Sequence, residues 1–276
     1  MFDINAVVYS YKNPRLVEVI QNMYDNTNSH MHITVVDQHH LNRKEKFSHF
    51  KNLEYRHEFW DHILSPNQHK ALAIFRNEIE STYFLVMSDD VMLSAGWDDA
   101  VTEFINGNTK VIVSGTGSGK LFHKDKYFLA RADEPSESFS LSNMVDRNFI
   151  FGLKDTIYGM NYPQDVKYYG EEEKFSIDLF SMGIRIFSAP SSTYQDLGVR
   201  TLENMYVPFS IEHNYNSVID MINDEANSEW VAFHQIDLSQ IRKLFYQKDD
   251  VPYNPYDLKM MDLGGERFIA RTKAIF

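Results

Sequence analysis

A short apolar run that ends in adjacent carboxylates is the feature that most constrains this chain. Tyr83–Met87 is apolar and of strand length, and Ser88-Asp89-Asp90 follows it directly. This pattern predicts a buried strand whose carboxyl end reaches the edge of a sheet. Open α/β sheets bind ligands at that edge, and two oxygen ligands there suit a divalent cation that holds a diphosphate. Acids after strands also form turns and helix N-caps, so both interpretations stay open at this point.

Length and composition narrow the class of protein. The chain has 276 residues, of which 43% are hydrophobic and 24% charged, as in ordinary globular proteins. It has no cysteine, which excludes disulfides, thiolate metal sites and a cysteine nucleophile. The sequence shows neither a signal peptide nor eighteen consecutive apolar residues, so we expect a soluble, cytoplasmic protein. The net charge of −12 opposes nucleic acid at long range.

The order of predicted elements favours an α/β fold with a mainly parallel sheet flanked by helices. The first forty residues read as a βαβ unit, with strands at Ile4–Tyr9 and Ile33–Val36 and a helix that opens at Asn13-Pro14. The further predicted elements are a helix from Ser65-Pro66, a strand at Val111–Val113, a loop at Gly115–Ser142, a helix at Glu171–Met182, a strand at Ile184–Phe187, and helical stretches near Asn216–Ala226 and Leu238–Phe245. In the helix at Glu171–Met182 we expect Phe175, Leu179 and Met182 to share the apolar face and Gly183 to end the helix. We expect a catalytic domain over residues 1–205 and a C-terminal helical extension over 206–276 packed on it.

Other familiar site patterns fail on their spacing. The glycine-rich stretch that ends at Lys120 has three residues between the relevant glycines and Leu121 after the lysine, so it is not a nucleotide-triphosphate loop. None of the eleven histidines forms a helical His-x-x-x-His pair with an intervening Glu, which makes a zinc site of that kind unexpected. A serine-hydrolase elbow is also missing from the sequence.

Three carboxylates open a predicted helix directly after a glycine. Tyr168-Tyr169-Gly170 precedes Glu171-Glu172-Glu173. Acids in a first helical turn offset the helix dipole by about 0.3–1 kcal/mol each and need no further function. The glycine also allows a sharp bend that brings a carboxylate into a cleft, where it can grip a sugar hydroxyl or orient an acceptor.

Several stretches between residues 4 and 200 match, in order and at similar spacings, the motifs of one family. The matching stretches are Ser10-Tyr11-Lys12-Asn13-Pro14, Gln38, Pro66–Lys70, Ser88-Asp89-Asp90 with Ala95-Gly96-Trp97-Asp98, Gly170-Glu171-Glu172 with Gly183, and Asp196 with Arg200. They resemble the motifs of the GT-A fold GlcNAc-transferase family, which includes the cytoplasmic enzyme that modifies hydroxyproline. That family is related in outline to the polypeptide GalNAc-transferases.

The resemblance implies a metal-dependent glycosyltransferase that moves a sugar from a UDP-sugar to a hydroxyl, with retention of configuration. The roles it implies are metal binding by Asp90 and Asp196, charge neutralisation by Lys70, donor binding by Ser10, Tyr11, Gln38, Asp89 and Trp97, and contacts of Glu171 and Glu172 with the donor sugar and the acceptor. Oxygen ligands favour Mn²⁺ or Mg²⁺. A histidine such as His213 remains an alternative to Asp196, and Trp97 either packs beneath the site or stacks on a ligand.

Lys70 takes the place of an arginine of the family, and four further departures bear on the metal and the donor sugar. Ser88 replaces the first acid of the metal motif, and carboxylates stand at Asp90 and Asp196 where the family has histidines. Asp178 replaces an arginine, which removes a positive charge and leaves recognition of the donor sugar open.

The acceptor stays open between a cytosolic protein, a glycan and a hydroxymethylated base of phage DNA. The composition is typical of phage proteins, whereas the acidic balance argues against DNA. The best basic patch, Lys120, Lys124 and Lys126, is interleaved with aromatic residues, and charge runs of this kind usually form solvated surface. The alternative functions are a non-catalytic carbohydrate-binding protein on a degenerate transferase fold and a sugar-phosphate nucleotidyltransferase.

Overall fold

The computed structural model describes residues 2–10, 13–37, 41–57, 79–115, 137–142, 145–146, 148–157, 171–197 and 224–233. The strands in these residues are β1 Phe2–Ser10, β2 Met31–Asp37, β3 Leu53–His57, β4 Ser81–Ser88, β5 Val91–Leu93, β6 Val111–Ser114, β7 Ser140–Ser142, β8 Phe149–Leu153, β9 Arg185–Ser188 and β10 Tyr194–Asp196. The helices are α1 Leu16–Asn26, α2 Trp97–Ile105, α3 Lys154–Ile157, α4 Glu171–Ser181 and α5 Ser228–Phe233, with short 3-10 helices at Lys44–Phe47 and Glu225–Asn227.

Eight strands form one mixed sheet in the order β3-β2-β1-β4-β8-β6-β9-β7. The β3-β2-β1-β4 half is parallel throughout, as the sequence predicts. Strands β8 and β7 run antiparallel to their neighbours. A separate two-stranded sheet pairs β5 with β10. The predicted mainly parallel α/β fold is therefore confirmed.

The register of the central strands brings three strand ends to one level. Ser10 at the end of β1 pairs with Asp37 at the end of β2. On the other side of β1, Tyr9 pairs with Ser88, the last residue of β4. Polar residues that follow three buried apolar runs thus meet at the carboxyl edge of the sheet.

Helix α1 covers one face of this sheet and begins later than predicted. Its fully buried stripe consists of Leu16, Val19, Ile20 and Met23. The helix begins two residues after the predicted start at Asn13-Pro14, because the Asn13 side chain accepts a hydrogen bond from the Arg15 backbone N–H at 2.8 Å. That bond closes a side-chain turn ahead of the helix.

Helix α4 covers the opposite face, with Phe175 and Leu179 buried in the second core cluster. The prediction that Met182 shares this buried face is wrong, since its side chain lies beyond the helix end and is 43% exposed. The predicted stop at Gly183 is confirmed. Gly183 has φ of 75° and donates from its backbone N–H to the Phe180 carbonyl at 2.9 Å, which closes the C-terminal turn.

The predicted loop at Gly115–Ser142 and the predicted C-terminal helices lie only partly within the described residues. The expected loop at Gly115–Ser142 is wrong at its end, where Ser140–Ser142 forms β7 against β9. Residues 116–136 lie outside the described residues, as do 216–223 and the predicted helix Leu238–Phe245. The described C-terminal piece is α5, which packs on α4 through Phe233 and Phe180 at 5.2 Å between ring centroids.

Among the described residues, we find no helix with the length and apolar character needed to span a membrane.

A buried ion pair fixes the carboxyl end of β2. The Asp37 side chain is fully buried, and the Arg43 guanidinium donates to both of its oxygens, at 2.7 and 2.8 Å. The Tyr55 hydroxyl donates to the same carboxylate at 2.5 Å. Such a forked pair needs its hydrogen bonds, because desolvating both charges is costly.

We expect Arg43→Met to lower the free energy of unfolding by about 3–5 kcal/mol, because it leaves the buried Asp37 carboxylate without its counter-charge. Urea denaturation followed by circular dichroism measures this loss. The double variant Asp37→Leu/Arg43→Met should recover most of it, since both charges are then removed.

Arg15→Met is the matched control, because the Arg15–Glu18 pair is exposed at 41% and 52%. Its cost should stay below about 1 kcal/mol. A loss for Arg43→Met no larger than that of the control would contradict a stabilising role of the buried pair.

Candidate functional site

The predicted acids form a tight turn between β4 and β5. Ser88 ends β4, and Asp89 and Asp90 make the turn into Val91, so both acids lie at the carboxyl edge of the sheet as predicted. The Ser88 hydroxyl donates to Asp90 Oδ1 at 2.6 Å. Ser88, which stands where the resembling family has an acid, therefore orients the Asp90 carboxylate. We refer to residues 88–90 as the acid turn.

Strand β10 brings a distant acid alongside this turn. Asp196 pairs with Val91 in the antiparallel β5–β10 sheet. Next to that pair, the Leu197 backbone N–H donates to the Asp90 carbonyl at 2.8 Å. The main chains that carry Asp90 and Asp196 are thus neighbours, although the two residues lie far apart in the sequence.

The end of β1 and the loop after it complete this side of the edge. Ser10 is buried, and its hydroxyl has no hydrogen-bond partner within the described part of the chain. Asn13, in the following loop, donates from its side-chain amide to the Asp89 carbonyl. An unsatisfied buried hydroxyl at a ligand-binding edge is a group that a bound molecule can satisfy.

The buried ion pair of β2 reaches the same loop. Besides its bonds to Asp37, the Arg43 guanidinium donates through Nη1 to the Asn13 carbonyl at 2.7 Å. Burial disfavours the Arg43 charge, but the hydrogen bonds and charge of Asp37 outweigh this, so the pKa of Arg43 is raised. Burial, assisted by its bond to Asp37, raises the pKa of Tyr55 to about 12. Arg43 stays cationic and Tyr55 stays neutral at physiological pH.

Trp97 belongs to the core and not to a ligand surface. Its side chain is 3% exposed and lies edge-on to the Phe149 and Phe151 rings, with centroids 5.5 and 5.3 Å away. Its indole N–H donates to the Thr27 hydroxyl at 2.9 Å. Of the two alternatives for Trp97, the structure shows packing, within the hydrophobic core.

The following acid, Asp98, is also structural. It is fully buried and accepts hydrogen bonds from the backbone N–H groups of Asn28 and Ser29, at 3.1 and 2.8 Å. The Ser29 hydroxyl donates to it at 2.6 Å. The Gly96-Trp97-Asp98 segment therefore ties the start of helix α2 to the loop after α1.

A second polar group lies at the edge near the end of β6. The Tyr194 hydroxyl is 3.4 Å from Asp146 Oδ2, and the Asn148 backbone N–H donates to Asp146 Oδ1 at 2.9 Å. Gly115 passes so close that an added Cβ would lie 2.2 Å from the Tyr194 hydroxyl oxygen. Sequence reasoning missed this group, since no local pattern connects residues 115, 146 and 194.

Glu171 and Glu172 are the first residues of α4. Because α4 connects to β9 through a tight turn and packs against it, the helix runs back along the strand. Its N-terminus therefore lies toward the edge at which β9 ends, on the side of the acid turn. The predicted residues Tyr11, Gln38, Lys70 and His213, and the lysines at 120, 124 and 126, lie outside the described residues.

The oxygen donors of the acid turn fit a hard divalent cation in their chemistry. Asp89 and Asp90 are half-buried carboxylates at a ligand-binding edge, the type of ligand that Mg²⁺ and Mn²⁺ prefer. In the described part of the chain, no group of three or more His, Cys, Asp or Glu side chains is arranged to hold a metal ion. A cation held by these two carboxylates would need further ligands, such as the phosphate oxygens of a substrate.

Solved structures with the same fold come from glycosyltransferases. S. aureus TarS 1–349 aligns with 90% of this chain and 73% of its own, at a TM-score of 0.57 and 13% identity. The TarS fragment in complex with UDP-GlcNAc aligns similarly, at a TM-score of 0.56 and 13% identity over 88% of this chain and 73% of its own. GalNAc-T7 with UDP, GalNAc and Mn²⁺ has a TM-score of 0.55 and 10% identity over 88% of this chain and 56% of its own.

In a longer TarS structure the match, at a TM-score of 0.56, spans 43% of that chain. No protein-family model matches the sequence, and no curated protein matches it either. At these identities the likeness concerns the fold. The chain has the GT-A fold. The acid turn lies at the carboxyl edge of its sheet, the edge at which open α/β sheets in general bind ligands.

Proposed function

We propose that this protein is a metal-dependent glycosyltransferase that moves a sugar from a UDP-sugar to an acceptor hydroxyl. The observation that carries the proposal is the pairing of β5 with β10, which sets the main chains of Asp90 and Asp196 side by side at the carboxyl edge of the sheet. The solved structures of the same fold that contain UDP-GlcNAc, or UDP with Mn²⁺, support the donor class. The division into a catalytic domain over residues 1–205 and an extension over 206–276 is part of this proposal.

In this proposal the diphosphate of the donor lies across the acid turn. Asp90 and Asp196 would hold Mn²⁺ or Mg²⁺, which when bound neutralises charge on the diphosphate. Lys70 would add a second positive charge where the leaving group becomes more negative. Ser10, Tyr11, Gln38 and Asp89 would contact the nucleotide sugar. The buried Ser10 hydroxyl, which has no hydrogen-bond partner among the described residues, could bond to it.

Transfer breaks the bond between the anomeric carbon and the diphosphate oxygen and forms a bond to the acceptor oxygen. Glu171 would hold the donor sugar, and Glu172 would accept a hydrogen bond from the acceptor hydroxyl and so orient it for attack. In the retaining course that the family resemblance implies, the hydroxyl proton leaves with the diphosphate. The anomeric configuration of the product, read by proton NMR, decides between retention and inversion.

The acceptor class is the finer part of the proposal. Candidate acceptors are a cytosolic protein, a glycan and hydroxymethylated DNA, all of which present a free hydroxyl. If DNA is the acceptor, neutralising Lys120, Lys124 and Lys126 should reduce DNA-dependent turnover and flatten its salt dependence. Turnover on DNA that is unchanged in this triple variant would exclude the DNA version.

The primary experiment is a panel of UDP-sugars scored for UDP release with Mn²⁺, with Mg²⁺ and after chelation. Each donor is offered alone and with hydroxymethylated DNA, a glycan mixture or cytosolic protein. A glycosyltransferase releases UDP in a metal-dependent manner with at least one donor. A carbohydrate-binding protein, favoured by the loss of an acid at Ser88, binds without releasing UDP, and a nucleotidyltransferase consumes nucleoside triphosphate and produces pyrophosphate.

We expect Asp90→Ala to abolish metal-dependent UDP release, because the variant removes the carboxylate that the Ser88 hydroxyl orients at the acid turn. The activity measured is the metal-stimulated fraction of UDP release, and the expected loss is at least about 10²-fold. Asp155→Ala is the matched control, since Asp155 is an exposed acid on α3. An active Asp90→Ala variant would contradict the metal assignment.

Glu172→Gln should lower turnover by about 10²-fold while UDP affinity stays within about twofold, because the change removes charge at the acceptor hydroxyl and leaves the nucleotide contacts intact. Steady-state kinetics and calorimetric titration of UDP separate the two quantities. Glu173→Gln changes the next residue of the same helix and should alter neither. If Glu172→Gln instead weakens UDP binding and leaves turnover per bound donor unchanged, the assigned role is wrong.

A further inference from the structure

We propose that Asn13 is a positioning residue for the acid turn, and that Arg43 holds Asn13 in the orientation this requires. The inference rests on the proposed function, because the property that it explains is metal-dependent binding of the donor diphosphate. It adds two residues that the family motifs do not connect with the acids. Neither Asn13 nor Arg43 is proposed to touch the metal or the sugar.

The Asn13 side chain joins two loops that lie far apart in the sequence. Its amide nitrogen donates to the carbonyl of Asp89, in the middle of the acid turn. Its amide oxygen accepts from the Arg15 backbone N–H at 2.8 Å. Both ends of one planar group are thus engaged, one by the turn and one by its own loop, which leaves the amide a single orientation.

Arg43 restrains the main chain of Asn13 through a third hydrogen bond. Its Nη1 donates to the Asn13 carbonyl at 2.7 Å, while Nε and Nη2 donate to the two oxygens of Asp37. The guanidinium is planar, so the bonds to Asp37 set the direction of the bond to Asn13. A relay therefore runs from the end of β2 through Arg43 and Asn13 to the backbone of Asp89.

Burial gives this relay its effect on position. Asn13 is 2% exposed and Arg43 8%, so water does not replace a bond that either residue loses. A buried polar group without its partner costs about 1–3 kcal/mol, and the acid turn avoids that cost only in the arrangement in which the Asp89 carbonyl faces Asn13. The direction of the next residue, Asp90, follows from the same backbone arrangement.

The experiment compares UDP binding with and without Mn²⁺, by calorimetric titration of the full chain. For Asn13→Ala we expect UDP affinity in Mn²⁺ to fall by about 10–100-fold, the usual effect of removing a group that orients a metal ligand. UDP affinity in the absence of metal should change less than about threefold. A residue that merely supports the fold would lower both affinities together or lower only the melting temperature.

Asn22→Ala is the matched control, because Asn22 is an asparagine of α1 whose side chain also bonds the backbone of a distant segment. It binds the backbone of Leu93 at the far end of β5 through two hydrogen bonds, at 2.7 and 3.1 Å. The variant loses as many side-chain bonds as Asn13→Ala and should lose thermal stability without losing the Mn²⁺-dependent part of UDP binding.

Arg43→Lys is the second variant, since it keeps the positive charge next to Asp37 but lacks the fork that also reaches Asn13. It should reduce Mn²⁺-dependent binding in the same way, and adding it to Asn13→Ala should have little further effect because the two residues act through one element. Hydrogen exchange of peptides that span the acid turn should speed up in both variants and stay unchanged in Asn22→Ala.

The outcomes separate the inference from the proposed function. If the unaltered protein shows no Mn²⁺-dependent binding of UDP, the proposed function is wrong and the inference falls with it. If the unaltered protein binds and Asn13→Ala binds equally well, or Asn22→Ala weakens binding to the same extent, only the inference is wrong. A selective loss of the Mn²⁺-dependent part in Asn13→Ala and Arg43→Lys supports it.

Discussion

The structure depends on the parallel register of β2, β1 and β4. Because these three strands pair without a bulge, their ends at Asp37, Ser10 and Ser88 reach the sheet edge at the same level. The apolar residues before each end are locked by the two cores, one on each face of the sheet. A shift of the strand register by one residue would turn those apolar side chains to the wrong face of the sheet. Packing of the core therefore also fixes the positions of the polar residues at the edge.

The fixed register buries a charged residue at this edge, which costs electrostatic free energy. Asp37 ends a buried strand and is itself fully buried, so its charge is tolerated only because Arg43 and Tyr55 bond it directly. The same guanidinium also bonds the loop after β1. The buried Arg43 cation therefore neutralises the Asp37 carboxylate at the end of β2 and also restrains the loop next to the acid turn. The β5–β10 pair restrains that turn from the other side.

Local sequence patterns predicted the parts of the fold that depend on local physics. The strand that ends at Ser88 and the stop at Gly183 were found because an apolar run, or a glycine in the left-handed region, determines them within a few residues. Helix α1 was found, but it begins two residues later than predicted, since the Asn13 side chain closes a turn before it. The antiparallel strands β7 and β8 were missed because their pairing partners lie far away in the sequence.

The candidate site divides along the same line. The acid turn could be predicted because it directly follows an apolar strand. Asp37 also ends an apolar run, but no local sequence pattern points to its partner Arg43. Trp97 shows the limit of motif matching, because a tryptophan next to an acid turn looks the same in sequence whether it packs below the turn or contacts a ligand. Its neighbours Phe149 and Phe151, which decide the question, are brought by β8.

In the proposed enzyme, the replacement of an acid by Ser88 has a specific consequence. The turn keeps an oriented Asp90 with one negative charge fewer, so cation binding should depend more strongly on the oxygens of the donor diphosphate than on the protein alone.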